Sequence, residues 1–345
     1  MSQPTSLVTG GAGFIGAHVC RDLIARGHQV VVLDDLSGGF RENVPEEATF
    51  VEGSIVDAAL VDRLFAEHQF TDVVHLAAYA AEGLSHFIRN YNYTNNLIGS
   101  ANLINASVNH GVRCFVFTSS IAVYGAGQLP MTESTVPSPE DPYGVAKYAV
   151  ELDLRAAHEQ FGLNSVIFRP HNVYGTYQNI GDRYRNVIGI FMNQYMRGEP
   201  FTIFGDGTQT RAFSAIEDVS PIIAAAGETP EAYNKVFNVG ADTPYSVNEL
   251  AQCVYSVMGG SGDAPVRHLE ARNEVLHAYS DHSAVRAVFG DQPQTSLEDG
   301  LRAMAEWAKS VGARETSPFT AIEVPQGLPP AWAAAGFETA TAETV

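Results

Sequence analysis

The stretch "TSLVTGGAGFIGAHVC", residues 5–20, runs from a short apolar segment through a glycine cluster into a helical pattern. Gly10, Gly13 and Gly16 recur at intervals of three, and Gly11, Gly13 and Gly16 also satisfy a G-x-G-x-x-G spacing. Glycines placed there let the chain turn tightly and let backbone amides at a helix N-terminus approach a pyrophosphate. Alone, such a pattern is weak, since ordinary turns also select glycine. Here a strand precedes it and a helix follows, which is the context the motif needs. Asp34 closes the next apolar run, where a carboxylate accepts hydrogen bonds from ribose hydroxyls. With Asp35 beside it, that carboxylate repels a 2′-phosphate, so the reading favours NAD over NADP.

Outward from this stretch, short apolar runs alternate with helical segments. "TSLVTG" (5–10), "QVVVLDD" (29–35), "TDVVHLAA" (71–78) and "RCFVFTSS" (113–120) read as buried parallel strands, with helices over 14–26, 58–68 and 93–109. "NSVIFRP" (164–170) and "KVFNVG" (235–240) read as further strands. The alternation predicts an α/β fold, a doubly wound parallel sheet, with a smaller interlocked C-terminal substrate domain. The expected division is 1–170 for nucleotide binding, joined by the later strand near 235–240, then mainly 171–312 for substrate. Residues 313–345, rich in Ala, Thr and Pro, read as a tail or strap without chemistry.

The net charge of −19 argues against nucleic acid as a partner, since phosphate backbones select a basic face. Three scattered cysteines, Cys20, Cys114 and Cys253, form neither a disulfide framework nor a metal spacing. No apolar run approaches the length of a membrane span and no signal peptide is legible, so a cytoplasmic protein is expected. Of the 20 basic residues only Lys147, Lys235 and Lys309 are lysines. An anionic ligand would therefore be met by a local arginine cluster within an acidic whole.

"DPYGVAK" (141–147) sets Tyr143 four residues before Lys147, on one helical face. A phenol titrates near 10, and lowering it by about three units requires about 4 kcal/mol. One ammonium at about 4 Å supplies roughly that amount in an effective dielectric near 20. A Tyr–Lys pair is common by chance, and the glycine motif is what gives this one a place to work.

The ordered set "TGGAGFIG" (9–16), "HLAA" (75–78), "NLIGSANLI" (96–104), "TSSIAVYG" (118–125), "DPYGVAK", "FRPHNVYG" (168–175) and "GDGTQTRAF" (205–213) resembles the extended short-chain dehydrogenase/reductase family, in its NAD-dependent sugar-nucleotide epimerase branch. The resemblance covers roughly residues 5–310. It implies a Rossmann sheet and an NAD site built from Gly10, Gly13, Phe14, Ile15, Gly16, Asp34, Asp35, Ser37 and Gly38. Ser54, Ile55, Leu76, Ala77 and Ala78 continue that site, with Asn96 supporting its wall. Ser54 stands where the family usually carries an acid near the adenine. The resemblance makes Ser120, Tyr143 and Lys147 the catalytic set, with Tyr143 the base, Lys147 on the ribose and Ser120 the relay. It implies a UDP-sugar substrate held by Ser120, Tyr143, Asn172, Asn186, Arg211, Arg272 and Glu274. Arg183 and Arg185, in "GDRYRN", fit either the sugar pocket or a solvated loop. Ala278 is the expected wall near the sugar C2 substituent, small enough to admit N-acetyl sugars. Relatives that eliminate water or carbon dioxide place an acid where this chain has Ala122, so the implied activity is 4-epimerisation of a nucleoside-diphosphate sugar, most directly UDP-glucose and UDP-galactose. A UDP-glucuronate 4-epimerase is the alternative, with Asn179 standing where its arginine would be. A non-catalytic NAD-binding regulator is the second. The helices around 93–109 and 144–161 imply a homodimer. No metal is implied.

Overall fold

A computed structural model describes residues 3–271, 275–291, 294–315 and 319–332. Seven parallel strands form the central sheet: β1 (Thr5–Thr9), β2 (Gln29–Asp34), β3 (Thr49–Glu52), β4 (Asp72–His75), β5 (Cys114–Thr118), β6 (Ser165–Pro170) and the strand Lys235–Val239. Their spatial order is Lys235–Val239, β6, β5, β4, β1, β2, β3. Strand order reverses between β1 and β4, so a crevice opens beyond their C-terminal ends, where such sheets bind ligands. The inner strands β4 and β5 are buried along their whole length because helices cover both faces. One core packs Val8, Val32 and Phe168 against Val19 and Ile223, and the other packs Leu7, Phe115 and Phe117 against Leu103 and Leu154.

All six anticipated strands are present. The strand β3 was not anticipated, because Thr49–Glu52 lies at the sheet edge and carries no apolar run. The helix expected from 93 begins at Arg89 and continues to Asn109 through a π-helical turn at Thr94–Ile98. Such turns are uncommon and recur at functional sites, because the extra residue re-aims side chains.

The helix Pro142–Phe161 has well-defined ends. Asp141 caps it by accepting a hydrogen bond from the Gly144 amide, Pro142 occupies the first turn, and Gly162 ends it in a left-handed conformation. A further core gathers Tyr174, Phe191, Phe201, Leu250 and Leu301, from residues that alternate along the chain with elements returning to the sheet. The helix Ile216–Ala225 and the strand Lys235–Val239 are two such returns, which is why the halves interlock. The segment 319–332 also returns, packing Leu328 and Trp332 against Ala81, Leu84 and Ile88. Among the described residues, no helix is long and apolar enough to cross a membrane.

Candidate active site

A cleft of about 1630 Å³ runs along the C-terminal ends of the strands, between the sheet and the core that holds Tyr174 and Phe191. Sites for one small ligand occupy about 300–1,000 Å³, so this volume suits two nucleotides together.

At one end lies the glycine turn. A Cβ on Gly16 would stand 2.1 Å from the Gly10 carbonyl oxygen, and one on Gly10, where φ is +74°, would stand 2.7 Å from the Ala77 amide. Neither position tolerates a side chain. The helix that follows, Phe14–Ala25, has Gly13 at its cap, no side-chain cap and no acid in its first turn. Its first amides therefore face the cleft as an anion site. The Asp34 carboxylate accepts from the Ala12 amide at 3.0 Å and the Leu36 amide at 2.8 Å. The Gly13 amide also approaches this carboxylate, which keeps acceptor capacity for a ribose hydroxyl. The residues present thus fit NAD, and every expected cofactor contact from Gly10 to Ala78 lines this cleft. Asn96 does not. From the π-helical turn it sits one layer back, accepting from the Tyr79 amide and donating to the Tyr79 carbonyl. It holds the wall without facing the cleft.

Beyond the C-terminal end of β5, Ser120, Tyr143 and Lys147 all line the cleft. The Ser120 hydroxyl caps the turn Ile121–Tyr124 by accepting from the Ala122 amide at 3.1 Å, and it favours the ionised form of the nearby Tyr143 phenol. The Tyr143 amide donates to Ser85 Oγ at 3.2 Å, which fixes the residue independently of its hydroxyl. Lys147 Nζ donates to the Thr118 carbonyl at 2.8 Å and lies 5.8 Å from the Tyr143 ring centroid. Burial is the largest influence on both groups. It raises the Tyr143 phenol well above its usual value, and it lowers Lys147 to about 7, with Glu151 opposing that fall. Burial thus disfavours the charged form of both side chains, and positive charge brought by a ligand would favour the phenolate.

Glu82 was not anticipated. It begins the short helix Glu82–Ser85 and lines the cleft, and its carboxylate is the second-largest influence on Tyr143, again raising it. Its only legible signal was an acid just after the "HLAA" strand end. Also missed was the buried pair of Glu151 and Arg169, joined at 2.5 Å and 2.9 Å, to which Ser119 Oγ donates at 2.5 Å.

The expected substrate residues divide. Asn172 and Asn186 both line the cleft with positive φ, a conformation asparagine tolerates better than most residues. Arg211 lines it as well, donating to the backbone carbonyls of Thr210, Leu276 and Val275. Arg185 spans the cleft mouth. It pairs with Asp182 at 2.5 Å, stacks 5.0 Å from the Tyr79 ring centroid and approaches Gly38. Arg272 and Glu274 lie outside the described residues. Ala278 departs from the expectation: it is buried among Ile121, Val123, Tyr124 and Met131, and Val275 reaches the cleft instead. Among the described residues, no group of three or more His, Cys, Asp or Glu is placed to hold a metal.

Known proteins share this fold. The UDP-glucose 4-epimerase of Mycolicibacterium smegmatis is 34% identical over 312 residues, spanning 88% of this chain and 98% of that protein. The Thermotoga maritima UDP-glucose 4-epimerase, solved with UDP-glucose, superposes with a TM-score of 0.83 at 35% identity, covering 89% of this chain and 99% of that one. The Bacillus cereus UDP-glucuronic acid 4-epimerase, solved with UDP-glucuronic acid and NAD, gives 0.82 at 29% identity, with coverages of 89% and 99%. Residues 6–240, from the strand before the glycine turn to the last strand of the sheet, match one family profile. The chain thus belongs to the NAD dependent epimerase/dehydratase family.

Proposed function

We propose that this NAD-dependent UDP-sugar 4-epimerase interconverts UDP-glucose and UDP-galactose through a transient 4-keto sugar. The observation that carries the reading is the Ser120–Tyr143–Lys147 set at the end of a glycine-lined nucleotide cleft, with Ala122 beside it. Bound NAD+ supplies a reversible hydride acceptor for the sugar C4. The chain's own work is to move the proton. Tyr143 Oη takes it from the C4 hydroxyl, with Ser120 Oγ as the relay, and returns it once the keto sugar has presented its other face. Lys147 holds the ribose from its seat on the Thr118 carbonyl. Ala122 offers no proton for elimination.

Two features favour a neutral hexose over a uronate. The Arg185 guanidinium is already matched by Asp182, and Glu82 sets a negative charge beside Tyr143. A second carboxylate about 10 Å from Glu82 would meet about 1–2 kcal/mol of repulsion at an effective dielectric near 20. Glu82→Gln is expected to raise the kcat/KM ratio of UDP-glucuronate to UDP-glucose roughly tenfold. It should also move the acidic limb of the pH profile to lower pH, because losing the anion lowers the pKa of Tyr143. NMR of the products from a UDP-sugar panel reads both the ratio and the C4 configuration. A 4-keto-6-deoxy sugar from the wild type would replace epimerisation with elimination.

A homodimer is part of the same proposal. Val145 and Leu152, seven residues apart on the Pro142–Phe161 helix, are 40% and 37% exposed, and Ile98 in the neighbouring helix is 52% exposed. Seven residues is two helical turns, so the first two share one outward apolar stripe. Leu152→Asp should leave the monomer folded and halve the mass seen by light scattering. An unchanged mass would exclude this face.

A further inference from the structure

Residues 319–332 cross back over the cleft. The Phe319 ring packs on Tyr79 and Tyr91, at centroid distances of 5.3 Å and 5.1 Å, and its amide donates to the Tyr184 hydroxyl at 2.8 Å. The Glu323 carboxylate accepts from the amides of Asn90 and Tyr91 at 2.7 Å and 2.8 Å. Those amides open the helix that begins at Arg89, where a carboxylate is favoured both by the unpaired donors and by the helix dipole. The Glu323 and Val324 amides also donate to the Phe87 carbonyl. The crossing is therefore anchored by backbone and charge.

Its last described residue, Trp332, is 3% exposed. The indole meets Phe87 and Tyr184 on one side and Phe204 on the other, at 6.3 Å, 5.5 Å and 6.2 Å. It lies so close over Gly83 that a Cβ there would stand 2.8 Å from the ring. Gly83 follows Glu82, whose charge acts on the Tyr143 phenol, and precedes Ser85, whose hydroxyl accepts from the Tyr143 amide. Trp332 thus covers the segment that builds the sugar end of the cleft, and it lines that cleft together with Leu328 and Ala331. The M. smegmatis relative, matched over 98% of its own length, accounts for only 88% of this chain.

We propose that residues 319–332 roof the sugar subsite and that Trp332 is a specificity-determining residue, packing its indole on the hexose of the bound UDP-sugar. The proposal rests on the UDP-sugar reading above and adds a size limit. An indole roof closes the space that an acetamido substituent would need, so the wall expected at Ala278 is moved to Trp332. Misfit of this kind in an apolar pocket is worth about 10–200-fold in kcat/KM.

The chain has two tryptophans, Trp307 and Trp332, so Trp307→Phe leaves the roof as the sole indole reporter. Using this variant with its cofactor bound, tryptophan emission is followed on titration with UDP and with UDP-glucose. The expected result is a shift with UDP-glucose and none with UDP. In parallel, Trp332→Ala and the milder Trp332→Phe are assayed on UDP-glucose and UDP-N-acetylglucosamine. The kcat/KM ratio should turn at least tenfold toward the N-acetyl sugar in Trp332→Ala, and less in Trp332→Phe. Should both ligands bind with emission unmoved and the ratio within twofold of wild type, the roof proposal is overturned while the epimerase reading stands. A wild-type protein that neither binds nor turns over any UDP-sugar overturns both.

Discussion

Tyr143→Phe is expected to lower turnover by about 10²–10⁴-fold, the range supplied by one positioned acid–base group. The substitution removes only Oη. The ring is buried at 6% exposure, and the Tyr143 amide is held by Ser85 Oγ, so neither packing nor helix position depends on the lost hydroxyl. The glycine turn and Asp34 lie at the other end of the cleft, so bound cofactor should remain, measurable by absorbance after the protein is denatured. Because burial and Glu82 raise the wild-type phenol, its ionisation governs the acidic limb of the pH profile. That limb should vanish from the residual activity of the variant. Turnover within tenfold of wild type would remove Tyr143 from the reaction.

The fold was legible where local chemistry and global position agree. β1, β2, β4 and β5 are apolar runs punctuated by Gly or polar residues because both faces of the sheet are covered. The glycine turn was legible for a steric reason, since a Cβ at Gly16 would strike the Gly10 carbonyl. β3 escaped because an exposed edge strand of four residues needs no apolar run. The start of the Arg89 helix escaped for a different reason: part of its N-terminal capping comes from Glu323, more than two hundred residues away.

Within the site, the residue types were legible and their energetics were not. The Tyr–Lys spacing is visible in "DPYGVAK". That Lys147 would be seated on the Thr118 carbonyl is a fact of packing, as is the placing of Ala278 against Met131 and Ile121. The strap was read as inert from its Ala, Thr and Pro content. Phe319 and Trp332, large aromatics in a run of small residues, were the signal that it had something to cover.

The largest stability effect should come from Glu151. This carboxylate, 5% exposed, binds both donor arms of Arg169 on β6 and the hydroxyl of Ser119 at the end of β5, while Arg169 also stacks 4.6 Å from the Tyr124 ring centroid. Glu151→Gln leaves the guanidinium buried and unmatched, and breaking one side of such a pair costs about 3–5 kcal/mol. Urea unfolding should show that loss as a lower midpoint at unchanged slope. The double variant Glu151→Met with Arg169→Met should recover most of it, because no unpaired charge remains. Glu151 is also the one charge that holds Lys147 up against burial. Its removal drops the lysine below about 7, so the cationic form is confined to more acid solution and the alkaline limb of activity moves to lower pH. Ser119 precedes the relay Ser120, and Glu151 lies one helical turn beyond Lys147, so a single ion pair sets both the seat of the relay and the charge of the lysine. A Glu151→Gln protein with wild-type stability and an unmoved alkaline limb would show that the pair does neither.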